Sequence, residues 1–373
     1  MGRKILIAPD KFKGTLSATE AAEAIEKGWV STNPKDDITK LPISDGGEGF
    51  GTLMGEITGA NRLSHIMENG TSCYWWLDNK SDTAIIESAE IIGITKIYPD
   101  GNRDPLSVDS ARLGSLLKIF NQPTGKIAEN IIIGIGGSAT NDAGFGMAKQ
   151  LQWGFHDKAG KEIKNWHQLI HLEKIIKPRP DKLPLKNLPP IVVAADVQNP
   201  LLGNNGCTQV FGPQKGLLEG DIPNSEAALA RLAEVWKSQT GENAAMLPGA
   251  GAAGGLGFGL HCFAGAAVYS GFNVFAEATG LKFKLEETDI VITGEGALDH
   301  QTSMGKGVGE LAKLAQINNS KCIGLTGQLN NDHELGALFN QCRALTEITS
   351  PYQAKQNTAH WLEKLSAIIA KEF

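Results

Sequence analysis

The feature that most constrains this chain is a repeated pair: a short apolar, often β-branched run, followed at once by a loop rich in glycine and carboxylates. Strand-like runs fall at 4–8, 38–42, 84–87, 131–135, 191–195, 289–293, 321–326 and 344–348. Several are continuous rather than alternating, which suits strands buried on both faces. Helical patterns lie between some of them. Ser17 and Glu20 read as a capping box that opens a helix running to about residue 30. Further helices are expected over 108–120, 225–238, 306–316 and 358–371; in the last, Trp361, Leu362, Leu365, Ile368 and Ile369 share a face. Alternating strand and helix predicts an α/β protein with a largely parallel sheet.

One region breaks the alternation. Runs at 71–77 and 82–87 flank Asp78-Asn79-Lys80-Ser81 and read as a β-hairpin, with Trp75-Trp76 expected in the core. The Pro-rich stretch 177–190 reads as an exposed linker. One regular α/β domain and one less regular domain are therefore expected, and a length of 373 residues allows for both.

Composition excludes several functions. The net charge of −6 argues against a general nucleic-acid or anionic-membrane binder. The five cysteines, Cys73, Cys207, Cys262, Cys322 and Cys342, form no CxxC pair, so isolated thiols in a reducing, cytoplasmic setting are expected. Asp10 ends the first apolar run, which reads as a strand and not a signal peptide. The segment 249–268 has small residues at membrane-helix spacing, but few large aliphatics and His261 within it. A close-packed helix or a phosphate loop is the better reading. The expected partners are a small-molecule substrate and at most a second copy of the chain, with no nucleic acid and no membrane.

Glycine is the outlier, at 44 residues, and it clusters where backbone must approach something closely. Gly134-x-Gly136-x-x-Ala139 follows a strand but lacks the acidic residue of a dinucleotide fold. Gly249-x-Gly251-x-x-Gly254 follows no strand, and no Gly-x-x-x-x-Gly-Lys-Ser/Thr exists. Phosphate chemistry by other loops remains. Lysine precedes glycine at Lys13, Lys215 and Lys306, a pairing that supplies convergent N–H groups and a neutralising charge. Ser138, Thr140, Gln301 and Thr302 add hydroxyl and amide groups. Phosphoryl transfer also wants Mg²⁺, and Asp45, Asp142, Asp196, Glu295 and Asp299 are candidate ligands, with a base drawn from the same set. His300 is the poorer base. Acidic residues after several strands, Asp10 among them, suit the rule that open α/β sheets bind ligands beyond the carboxyl ends of their strands.

Seven segments in order resemble the bacterial glycerate kinase family, of the type that makes 2-phosphoglycerate. They are APDKFKGTLSA (8–18), PISDGGEG (42–49), IGIGGSATNDAGFGM (133–147), DVQNPLLG (196–203), VFGPQKG (210–216), PGAGAAGGLG (248–257) and TGEGALDHQT with GK (293–306). The resemblance implies ATP, Mg²⁺ and D-glycerate phosphorylated at its 2-hydroxyl. It implies a flavodoxin-like domain from both chain ends, 1–65 and 285–373, and an inserted α/β domain over 66–284. Lys13, Lys306, Asp45, Asp196 and Glu295 would carry the chemistry. Gly136, Gly137, Ser138, Thr140, Asn141, Lys215, Gly254 and Gly255 would hold the nucleotide. Against the family's usual pattern the chain has Lys11 and Thr15 for Ser, Phe50 for Thr, Ala143 for Gly, Ala195 for Cys and Ala297 for Arg. Alanine at 297 forgoes a bidentate anion clamp. Another small hydroxy acid as substrate, or a homologue that binds nucleotide without turnover, are the alternatives.

Overall fold

Ile5, Leu6 and Ile7 have almost no solvent exposure, because the strand they form has a neighbour on each edge and is covered on both faces. The computed structural model describes residues 2–67, 70–122, 124–179, 187–298, 302, 307–329 and 335–373. Its strands are β1 (Lys4–Ile7), β2 (Asp37–Lys40), β3 (Asn61–Ile66), β4 (Ser72–Asp78), β5 (Thr83–Glu87), β6 (Asn130–Gly134), β7 (Gly154–Asp157), β8 (Leu172–Ile176), β9 (Ile191–Ala195), β10 (Ala267–Ser270), β11 (Ile290–Leu298), β12 (Lys321–Leu329) and β13 (Gln341–Ala344). They sort into two compact units, the chain up to Asp45 with Phe275–Phe373, and Gly46–Val274. These boundaries differ from 65/66 and 284/285: β3 pairs with β4 in the second unit's sheet.

The first unit is a parallel sheet in the order β13-β12-β11-β1-β2. Counted within the unit this is 2-1-3-4-5, the flavodoxin-like order, whose switch point lies between β1 and β11. The helix Ala18–Thr32 opens on the expected capping box: Ser17 Oγ accepts the Glu20 N–H and the Glu20 carboxylate accepts the Ser17 N–H. That helix packs on Thr358–Ala370 with backbones nearly touching. A Cβ at Gly28 would lie 2.1 Å from the Glu363 carbonyl. Trp29, Ile25, Leu362 and Leu365 fill the space above the sheet. The expected strand at 344–348 is corrected: pairing stops at Ala344 and a 3-10 turn covers Leu345–Glu347. The Glu347 carboxylate accepts the Ala344 N–H at 2.7 Å, a local bond that competes with the ladder.

The second unit has a mixed six-stranded sheet, β10-β9-β6-β5-β4-β3, and the small antiparallel pair β7-β8. β10, β9, β6 and β5 run parallel, while the expected hairpin supplies the antiparallel β4–β5 pair. Trp75 and Trp76 are both buried. Trp75 meets Phe120 edge-on at 5.1 Å, and Gly51 and Gly55 are bare because the Trp76 ring occupies the place of their side chains. Register aligns Glu87, Gly134 and Ala194 across three strands, so three chain segments leave the sheet side by side. Residues 180–186 of the expected linker lie outside the described residues. All five cysteines are free thiols. Among the described residues no helix is long and apolar enough to cross a membrane.

Candidate active site

In the first unit, β1 stays zipped to its neighbours beyond its last residue. The Ala8 and Asp10 N–H groups donate to the Ile292 and Gly294 carbonyls at 2.8 Å, and those of Leu41 and Ile43 donate to Ile7 and Pro9 at 2.9 Å. This sets Asp10 and Asp45 beyond the carboxyl ends of β1 and β2, and near Asp10 stands Glu295, still within β11 and paired with β12. Asp10 is buried; that burial, with the charges of Asp45 and Glu295, pushes its carboxyl up to about 8. The Lys11 charge and its N–H, which donates to Asp10 Oδ1 at 2.6 Å, oppose the shift. Thr302 Oγ1 donates to Glu295 Oε1 at 2.8 Å. Lys13 is exposed in a tight turn closed by the Phe12 N–H on the Leu16 carbonyl, with Gly14 at φ 80°.

Among the described residues no three His, Cys, Asp or Glu side chains form a ready-made metal cage. Mg²⁺ needs less, since it takes one or two carboxylates and completes its shell with phosphate oxygens and water. Asp45 and Glu295 are hard oxygen donors of that kind, and each lies near enough to Asp10 to help raise its carboxyl, so the donor chemistry fits Mg²⁺.

In the second unit, Gly136 sits where a Cβ would be 2.6 Å from Gly47 Cα and 2.8 Å from Asp196 Oδ2. Three strand-end loops thus meet at backbone distance. Glu87 is buried at the end of β5, and its carboxylate accepts the N–H groups of Gly49 (2.8 Å) and Gly51 (3.0 Å), at the start of the helix Phe50–Thr58. The loop after β6 is held from several sides. Ser138 Oγ donates to the Ala253 carbonyl at 2.9 Å, and Asn141 Nδ2 donates to Thr208 Oγ1 at 3.1 Å. Residues 253–255 are all left-handed, and a side chain at Gly254 would lie 1.9 Å from the Thr140 carbonyl. Thr140 Oγ1 and Asn141 Oδ1 are buried without a hydrogen-bond partner.

A family model described as the glycerate kinase family matches residues 5–373. The glycerate 2-kinase of Escherichia coli K12 is 36% identical over 98% of this chain and 98% of its own length. The glycerate kinase of Bacillus subtilis 168 is 34% identical over 98% and 97%. The chain belongs to the glycerate kinase family. A protein from Salmonella typhimurium LT2, solved as a candidate glycerate kinase 2, superposes with a TM-score of 0.79 at 34% identity, covering 100% of this chain and 98% of the other.

Within this glycerate kinase fold the residues singled out in the sequence divide. Asp45 and Glu295 come together with Asp10 in the first unit. Asp196, Gly136 and Gly47 come together in the second. Asp142 is fully buried, and its carboxylate accepts hydrogen bonds from Ser110 N and Oγ, Gly144 N and Gly146 N. Four donors tie it to the loop as a fixed cap, so it stands outside the metal set we favour. Lys215 is buried rather than presented to solvent. Asp299, His300, Gln301 and Lys306 lie outside the described residues. Sequence reasoning left Asp10 out of its site set and missed Glu87. Both carried the same signal as Asp196, an acid at the end of an apolar run.

Proposed function

We propose that this chain transfers the γ-phosphoryl group of ATP to the 2-hydroxyl of D-glycerate, giving 2-phosphoglycerate and ADP. The observation that carries the reading is the placement of carboxylates and glycine loops at the carboxyl ends of parallel strands, in a chain of the glycerate kinase family. Phosphoryl transfer asks a protein mainly to position its reactants, to neutralise charge on the transferring oxygens and to accept the hydroxyl proton. Asp45 and Glu295 would hold Mg²⁺, which supplies neutralising charge on the phosphates when bound. Lys13, exposed on its turn, adds a second positive charge. Asp196 would take the hydroxyl proton, and a side chain at Gly136 would crowd its Oδ2 at 2.8 Å. The loops around Gly136 and Gly254 would receive phosphate or substrate through backbone N–H groups.

Ala297 favours a second reading. It is exposed on β11, where the family's usual arginine would reach an anion, so another small hydroxy acid is the competing substrate. One experiment separates the two. ADP release is followed with ATP and Mg²⁺, alone and with D-glycerate or a panel of hydroxy acids, and the product is identified by NMR. Glycerate-dependent ADP with a 2-phosphoester is the expected result. Faster turnover of another acid overturns glycerate as substrate, and no stimulation by any acid overturns the kinase reading.

A further inference from the structure

Lys215 looks in the sequence like a phosphate ligand: it precedes a glycine and belongs to a loop set rich in hydroxyls. Its surroundings give it other work. It ends the helix Cys207–Lys215 and is 2% exposed. Its ammonium donates to the Ser138 carbonyl (2.8 Å), Ser138 Oγ (2.9 Å) and the Thr140 carbonyl (2.7 Å). An ammonium has three N–H donors, and all three are spent on the loop after β6. None is left for a phosphate oxygen.

The same contacts tie three glycine loops together. Ser138 Oγ, having accepted from Lys215, donates onward to the Ala253 carbonyl of the left-handed turn. That turn's Gly254 carbonyl accepts the Ala143 N–H at 3.0 Å. At the other end of the Lys215 helix, Thr208 Oγ1 accepts from Asn141. Residues 208 and 215 are seven apart, two helical turns, so one face of this helix grips the loop at two points. Position at the helix C-terminus also suits a cation. Burial lowers the Lys215 ammonium to about 8, while neighbouring Asp196 and Asp142 favour its charge.

The geometry points to Lys215 as a positioning residue: a tethered monovalent cation that fixes the 134–142 loop for catalysis without touching the nucleotide. This rests on the kinase reading above and deepens it, since it removes one residue from the phosphate ligands and assigns it to the loop that receives them. Lys215→Ala would leave a cavity lined by the Ser138 carbonyl, Ser138 Oγ and the Thr140 carbonyl. Ethylammonium has the N–H donors and the size to refill it. Tetramethylammonium has the charge but no N–H.

The test begins with steady-state kinetics of Lys215→Ala, with circular dichroism to confirm the fold. The expected result is a fall in kcat of about 100-fold, the scale of a misplaced catalytic loop. KM for ATP should stay within about threefold, and ethylammonium should restore at least about tenfold of the lost rate while tetramethylammonium restores none. A large rise in KM for ATP with kcat retained would make Lys215 a phosphate ligand and overturn the inference. So would a folded variant that ethylammonium leaves unrescued. A second measurement needs no variant: amine acylation of the wild-type protein, read by mass spectrometry, with and without ATP. Lys215 should stay unlabelled in both states while Lys13, exposed on its turn, is labelled without ATP; labelling of Lys215 that ATP suppresses overturns the inference. A wild-type protein inactive on every acid would sink the kinase reading alone, because the acylation result still decides whether Lys215 is caged.

Discussion

Replacing Asp10 by Asn should stabilise the protein at alkaline pH and hardly at all at acidic pH. Asp10 is buried beside Asp45 and Glu295, and its carboxyl is raised to about 8 from an ordinary value of 3.8. Between those two values the folded chain holds a proton that the unfolded chain has released. Stability therefore falls as pH rises through this window, by about 1.4 kcal/mol per pH unit for a fully shifted group. Asn at this position stays neutral in both states and keeps an oxygen for the Lys11 N–H, which now donates to Asp10 Oδ1. The full window is worth on the order of 5 kcal/mol. About 2–5 kcal/mol is the range to expect by about pH 8.5. The assay is urea denaturation of both proteins in chelator, at about pH 5 and about pH 8.5. Asp10→Asn should be more stable than wild type at the higher pH, with the gap at least halved at the lower one. A variant less stable than wild type at about pH 8.5, or a gap that does not change with pH, would refute the picture of a carboxyl held neutral by burial and like charge.

Three further outcomes are expected. Asp45→Asn and Asp196→Asn should each lower kcat/KM for glycerate-dependent ADP release by at least about 100-fold with unchanged circular dichroism; full activity in both would end the site assignment. Gly254→Ala places a methyl 1.9 Å from the Thr140 carbonyl in a left-handed conformation, and should cost at least about 2 kcal/mol in chemical denaturation. Ser17→Ala removes the acceptor of the Glu20 N–H in the capping box and should cost about 1 kcal/mol with kcat within about twofold of wild type.

Much of the fold was legible because its signals are local. The Ile5–Ile7 run, the Ser17–Glu20 cap and the Asp78–Ser81 turn each carry their conformation in adjacent residues. The end of β13 was not, because Glu347 caps the Ala344 N–H with a side chain whose reach no periodicity records. At the site, acids at strand ends were legible as a class, since Asp45, Asp196 and Glu295 follow apolar runs. Their individual duties were not. Asp142 has the same letters around it as a metal ligand, but four donors surround it in the fold. A lysine before a glycine likewise reads the same whether its ammonium is solvated, as at Lys13, or caged, as at Lys215.

The two units manage charge in opposite ways. In the second, the loop after β6 is built around charges supplied by the chain itself: Lys215 satisfies the carbonyls of Ser138 and Thr140, Asp142 caps four donors, and Glu87 caps the helix that follows Gly49. Such a loop is cross-linked by the chain's own groups, and fixed placement is what backbone N–H groups need to act as a preorganised cradle. In the first unit, Asp10 is buried with Asp45 and Glu295 near it, and burial first, then their like charge, raises its carboxyl. A cation bound there would compete with the proton that Asp10 holds at neutral pH, so its affinity should rise as pH rises toward 8. A nucleotide that arrives with Mg²⁺ brings that charge with it. The first unit thus holds acids whose charge burial disfavours, and the second holds a glycine loop whose charges the chain itself neutralises.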